Sequence, residues 1–203
     1  MISLTPSDAL LIIDIQNDFL PGGTLGVSSN DKLIPVLGND IRRFQDHDLP
    51  IVLTRDWHPP DHCSFQSQGG PWPIHCVAGS PGSLPPPSFG TPPSAVIISK
   101  AIDRDQETYS AFQRTTLDQH LRALNTQRLF IGGLATDYCV LNSVKDPRAL
   151  VLRSLSAHGR HQGGEPPGVS GPKKKCFSWE PPLCDGNCST HESFNQCSTH
   201  GFA

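Results

Sequence analysis

The strongest pattern in the chain is the run Ala9–Ile15 (ALLIIDI), apolar on both faces, as a strand buried inside a parallel sheet must be. From Leu33 to Phe44 the period changes. Leu33, Val36, Leu37, Ile41 and Phe44 form a helical stripe, with Pro35 in the first turn, where its missing N–H is harmless. Pro50–Thr54 and Ala95–Ser99 (AVIIS) read as a second and a third short strand, and Arg128–Gly132 (RLFIG) as a fourth. Between the last two, Thr115 can cap a helix that presents Leu117, Leu121 and Leu124 on one face, with Asp118 at its third position. This alternation of strand and helix implies right-handed crossovers. The fold class is α/β: an open, mostly parallel sheet with helices on both faces, in a Rossmann-like three-layer arrangement.

The regularity stops near Asp146. Pro147 ends any preceding helix, and only Ala149–Leu152 (ALVL) offers a fifth strand. After Leu155 there is no run of three apolar residues and no period. Residues 1–146 carry 10 Lys+Arg against 15 Asp+Glu, net −5, whereas residues 147–203 carry 6 against 4, net +2. Cysteine is redistributed too. Cys63, Cys76 and Cys139 are too sparse for a disulfide scaffold, while Cys176, Cys184, Cys188 and Cys197 crowd into the last part. Their spacings of 7, 3 and 8 intervening residues contain no tight CxxC pair and make a weak case for a zinc knuckle. Lost period, frequent cysteine and the change of sign together read as a coding frame shifted near Asp146. The expected organisation is an α/β domain over residues 1–155 with no candidate for a further strand–helix unit, then a Pro/Gly/Ser/Cys-rich tail, 156–203. That tail cannot bury enough apolar surface to order itself. One sheet edge beside the Cys139 helix would then be uncovered.

Composition narrows the classes. With 203 residues, 36% of them apolar, the chain can bury a core. A net charge of −3 argues against a nucleic-acid binder held by bulk electrostatics. No apolar stretch approaches the ~18–20 residues of a membrane span. The N-terminus shows no basic region followed by a long apolar one, so no secretory signal is expected and the cytoplasm is the default location.

The chemistry lies at the strand ends. Asp14 closes the first strand, Asp56 follows the second by two residues, Lys100 closes the third, and Cys139 comes just past the fourth, after GGLATDY. In an open parallel sheet, ligands bind outside the carboxyl ends of the strands, so these four groups converge. Cys139 is expected to open a helix running through Val140–Val144. There the helix dipole, free N–H groups and the Lys100 ammonium would favour a thiolate, and the same N–H groups could serve an oxyanion. A nearby Asp could take the thiol proton. The plainer alternative is that Cys139 is a small buried hydrophobe. A second constellation is Asp56-Trp57-His58 with His62 and His75. Asp-x-His places a carboxylate and an imidazole on one side of an extended segment, and His75 completes a two-His, one-carboxylate face suited to Zn, Fe or Mn. His62 is open between ligand, supporting partner and exposed loop residue; surface loop histidines are the plain reading of the whole set.

Five strings resemble the nicotinamidase/pyrazinamidase branch of the isochorismatase-like cysteine hydrolases. They are DIQNDFLPGG (14–23), RDWHPPDHCSF (55–65), WPIHCVAGSPG (72–82), KAIDRDQETYSAF (100–112) and GGLATDYCV (132–140), ordered and spaced as in that family over about residues 8–146. The resemblance implies that Asp14, Lys100 and Cys139 are a catalytic triad. It implies that Asp56, His58 and His75 hold one divalent metal ion, with zinc first and iron or manganese as alternatives. Phe19, Trp72 and Tyr109 would wall a pyridine ring, the backbone N–H groups of Ala135 and Cys139 would form the oxyanion hole, and Leu134–Ala135 would be joined by a cis peptide. The implied activity is hydrolysis of nicotinamide to nicotinate and ammonia through a cysteine thioester. The implied partner is that small molecule, with no nucleic acid or membrane, and a homo-oligomer is left open. The alternatives are a related amidase for another small carboxamide, such as pyrazinamide, or an impaired or inactive member with a damaged C-terminus that acts at most as a binder.

Overall fold

A computed structural model describes residues 2–26 and 29–146, together with the backbone of residues 152–154. The elements are β1 (Asp8–Ile13), α1 (Leu33–Gln45), β2 (Ile51–Asp56), β3 (Val96–Lys100), α2 (Leu117–Ala123), β4 (Arg128–Gly133), α3 (Leu141–Lys145) and β5 (Leu152–Ser154). All described strand pairs are parallel and the sheet order is β3-β2-β1-β4-β5. The chain winds outward from β1 to β3, then returns to place β4 on the far side of β1. The winding direction reverses between β1 and β4, and a crevice at the carboxyl ends opens there.

Strand β1 is buried along its whole length, and its alternation divides the core. Leu10 and Ile12 face α1, packing with Leu33, Leu37, Ile41 and Phe44. Ala9, Leu11 and Ile13 face the other way, packing with Leu117 and Leu121 of α2 and with Val140. Helices therefore cover both faces, as the apolar periods require. The stripes are narrower than the sequence suggests: Val36 and Leu124 are exposed, because neither lies over the sheet. The N-cap of α2 is Thr116 and not Thr115, so Asp118 is its second residue and not its third; Thr115 stands one place further out, its hydroxyl donating to the Ala111 carbonyl at 2.6 Å and accepting from the Leu117 amide at 3.3 Å.

Two differences concern the site. Cys139 does not open an α-helix. It sits inside a π-helical turn, Thr136–Val140, and α3 begins only at Leu141. The fifth strand pairs Leu129–Ile131 with Leu152–Ser154, later in the chain than the ALVL segment. As expected, α3 stops before Pro147, with Asp146 extended. The proposed tail over 156–203, its lack of order, the absent last unit and the uncovered sheet edge all lie outside the described residues. Among the described residues no helix is long and apolar enough to cross a membrane.

Candidate active site

The strand ends deliver the four chemical groups to one place. Asp56 and Lys100 are the last residues of β2 and β3 and stand opposite each other in the register. Asp14 follows β1 in a left-handed conformation, φ 52°, which turns its carboxylate into the crevice. Gly133 ends β4 with φ 140°, and a Cβ there would lie 2.1 Å from the Ile13 carbonyl oxygen, so strands β1 and β4 approach this closely only with glycine. The following Leu134–Ala135 peptide is cis, and the π-helical turn then carries Cys139 back over the sheet end.

The Lys100 ammonium is the centre of the cluster. It lies 3.1 Å from Asp14 Oδ2 and 3.3 Å from Cys139 Sγ, pairs with Asp56 Oδ1, and donates to the Thr108 carbonyl at 3.3 Å. All four partners and Lys100 itself are buried. Burial alone would lower the Lys100 pKa, but the two carboxylates outweigh it and hold the ammonium well above its usual range. Burial raises Asp14 to about 6, with Lys100 opposing and Asp56 adding, while Thr54 Oγ1 donates to Asp14 Oδ1 at 2.7 Å. Burial also pushes the Cys139 thiol well up, and Lys100 offsets this only in part. At neutral pH the proton therefore rests on sulfur and points at an ionised Asp14. A helix start would have favoured a resting thiolate; the π-helical turn in a buried site does not. The oxygen and sulfur atoms of Asp14, Asp56 and Cys139 are close enough to hold a metal ion, but Lys100 already supplies the cation that this triangle holds.

Next to this cluster, Asp56, His58 and His75 offer one ligand atom each, all within 4.8 Å of one another. The Asp56 pKa would be raised by burial, but Lys100 and His58 hold it below the carboxylate range. Its backbone is clamped by Gln16, which accepts from the Asp56 N–H at 2.8 Å and donates to its carbonyl at 2.8 Å. His58 is pushed down to about 3 by burial, so it is neutral, and neither ring nitrogen has a hydrogen-bond partner. Two bare nitrogens in a buried ring are rare in a folded protein. His75 Nδ1 faces the Pro73 carbonyl at 2.8 Å and so carries its hydrogen there, leaving Nε2 unprotonated. A neutral imidazole with no partner, a second one fixed in its tautomer and an ionised carboxylate fit a divalent cation.

His62 is not part of that set. It is fully buried, its Nδ1 accepts from the Ser64 amide at 3.3 Å and faces the Ser64 hydroxyl at 2.7 Å, and its Nε2 donates to the Gln106 carbonyl at 3.1 Å. Its ring packs 4.3 Å from that of His58. Of the three readings open from spacing, the supporting partner is the one this geometry allows.

A single cavity joins the two constellations. Phe19, Trp72 and Tyr109 line it together with Asp56, His58, His75, Ala135 and Cys139. The Trp72 indole donates to the Tyr109 hydroxyl at 3.0 Å, which locks two of the three walls. Sequence reasoning missed Leu25, Asn30, Glu107 and Tyr138, which also line the cavity, and the Gln16 clamp. Their segments are irregular, so no period marks them. The available signal was proximity: Gln16 lies two residues from Asp14, and Glu107 two from Tyr109.

Fold and site together define a class: a parallel α/β protein with a buried Asp–Lys–Cys cluster beside a two-His, one-carboxylate face. Comparison with known proteins makes this specific, since a model of the isochorismatase domain matches residues 8–149, and the chain belongs to that family. It is 36% identical over 162 residues to a nicotinamidase of Escherichia coli (strain K12), covering 70% of this chain and 76% of the relative. Among solved structures, a pyrazinamidase of Pyrococcus horikoshii in complex with zinc is 47% identical, with a TM-score of 0.66, over 68% of this chain and 76% of that one. PnC1 from L. infantum in complex with nicotinate is 33% identical, with a TM-score of 0.67, over 74% and 81%.

Proposed function

We propose that this chain hydrolyses nicotinamide to nicotinate and ammonia, over a domain spanning residues 1–155. The observation that carries the reading is one cavity in which Cys139, backed by the buried Asp14 and Lys100, faces the Asp56–His58–His75 set between the aromatic walls Phe19, Trp72 and Tyr109. The nicotinamidase relatives and the nicotinate held by a structural neighbour support the same substrate class.

Asp56, His58 and His75 would hold a divalent cation, zinc first with iron or manganese as alternatives, which when bound supplies a Lewis acid for the ring nitrogen. The zinc complex of the 47%-identical neighbour supports that choice. The remaining chemistry belongs to the protein. Phe19, Trp72 and Tyr109 hold the ring and exclude water. Ionised Asp14 accepts the Cys139 proton, and the sulfur forms a bond to the amide carbon. The oxyanion accepts hydrogen bonds from the backbone N–H groups of Ala135 and Cys139. Asp14 returns the proton to nitrogen as the C–N bond breaks, ammonia leaves, and a nicotinoyl thioester remains. Asp14 next takes a proton from water, whose oxygen attacks the thioester. The C–S bond breaks, the proton on Asp14 passes to sulfur, and the product acid gives its remaining proton to solvent and departs as nicotinate. Lys100 stays charged throughout, lowering the cost of negative charge on Asp14 and on sulfur.

The test is ammonia release from nicotinamide by the full chain, Cys139→Ala and Asp14→Asn. Turnover by the wild type and its loss in both variants is expected; turnover close to wild type in either one refutes the triad. Elemental analysis with activity before and after chelation tests the cation, and full activity in metal-free protein would reduce Asp56, His58 and His75 to structural residues.

A further inference from the structure

Glu107 is a carboxyl-bearing residue in the cavity wall that the mechanism above leaves without a task. It stands in an irregular segment between Lys100 and Tyr109, and its Oε1 accepts from the Thr108 amide at 2.9 Å. Ser64 also hydrogen-bonds to it. Both partners are neutral, and among the described residues no ion pair holds Glu107. The other carboxylate among the described lining residues, Asp56, already has its opposite in Lys100, which also contacts Asp14 behind the cavity.

The balance of charge gives Glu107 a purpose. A divalent cation and the Lys100 ammonium, set against Asp14 and Asp56, leave one positive charge in excess around the pocket. That excess is harmless to a neutral carboxamide and attracts the anionic carboxylate that the reaction makes from it. One further carboxylate cancels the excess. We propose that Glu107 is a charge-selectivity residue: its carboxylate lets the neutral amide bind and opposes retention of the carboxylate product. This deepens the reading of the site as a nicotinamide hydrolase and rests on it. Burial raises the Glu107 carboxyl to about 7, with Asp56 adding, so the charge is fully present only on the alkaline side of that value.

Direct binding tests this without relying on turnover. Nicotinate and its neutral counterpart 3-hydroxymethylpyridine are titrated by calorimetry, on the alkaline side, into the zinc-loaded full chain and into Glu107→Gln and Glu107→Asp. Gln keeps the acceptor for the Thr108 amide and removes the charge; Asp keeps the charge. In the wild type, nicotinate binds more weakly than the alcohol. In Glu107→Gln the ratio of the nicotinate Kd to the alcohol Kd falls roughly tenfold, the scale of a unit charge acting across a pocket, and in Glu107→Asp it stays within about twofold of the wild type. An unchanged ratio in Glu107→Gln, a parallel shift of both ligands, or tighter wild-type binding of the acid than of the alcohol overturns the proposal. Absence of nicotinamide turnover by the wild type would instead remove the reading beneath it, so the two failures are distinguishable.

Discussion

Replacing Lys100 with Met should destabilise the protein far more than loss of one hydrogen-bonding group would. The ammonium contacts Asp14 Oδ2 at 3.1 Å, Asp56 Oδ1 and Cys139 Sγ at 3.3 Å, all in the interior. Met fills the same volume but leaves two buried carboxylates with no neighbouring cation. Removing one partner of a buried pair costs about 3–5 kcal/mol. At roughly 2–4 °C per kcal/mol for a chain of this size, the melting temperature should fall by about 6–20 °C. The assay is calorimetry of chelated wild type and Lys100→Met at several pH values. Chelation matters because a cation on Asp56 would otherwise replace the lost charge. Without Lys100, Asp14 loses the interaction that restrains its already raised pKa, so its protonated form is favoured further in the fold. A raised carboxyl stabilises below its unfolded pKa and loses that contribution as pH rises. The gap between wild type and variant should therefore narrow as pH falls through the weakly acid range. A loss under about 1 kcal/mol, comparable to an ordinary hydrogen bond, or a gap independent of pH, would show that Lys100 does not hold these carboxylates.

The acid limb of kcat/KM should fall at about pH 6, because Asp14 must be ionised to accept the thiol proton; a limb at the ordinary value of about 4 would contradict this. The stability contributed by Asp14 runs the opposite way, present below its unfolded value and lost as pH rises through about 6. His62→Ala removes the ring packed 4.3 Å from His58 and should weaken zinc binding about tenfold or more, read by chelator competition; unchanged affinity would make His62 a core residue only. Gly133→Ala forces a Cβ to 2.1 Å from the Ile13 carbonyl oxygen, and should yield insoluble protein or a melting temperature lowered by about 10 °C or more; a stable, soluble variant would show that β1 and β4 can separate there.

Much of this was readable from residues alone, for definite reasons. Ala9–Ile15 announces a parallel strand because both of its faces are covered, and the structure divides Leu10 and Ile12 from Leu11 and Ile13 between two helical layers. Asp14, Asp56, Lys100 and Cys139 were found because a parallel sheet collects its strand ends at one edge. What could not be read depends on irregular backbone. Cys139 follows a Gly-rich turn, and nothing in GGLATDYCV separates a π-helical turn from the first turn of an α-helix. The thiol environment differs accordingly from that of a helix start, since burial and the neighbouring carboxylates hold the Cys139 proton on sulfur. Gln16 and Glu107 lie in loops whose paths are set by tertiary contacts to Asp56 and Ser64, and no local period encodes those contacts.

The central claim is that Cys139 carries the acyl group of nicotinamide, and intact-mass spectrometry tests it most directly. Zinc-loaded full-length protein is mixed with nicotinamide, quenched in acid during turnover, and digested to locate any adduct. The mechanism predicts a mass gain equal to one nicotinoyl group less one hydrogen, on the peptide containing Cys139, absent in Cys139→Ala and discharged as nicotinate on standing. Turnover of nicotinamide with no acyl group on Cys139, or with the adduct on another residue, would contradict it.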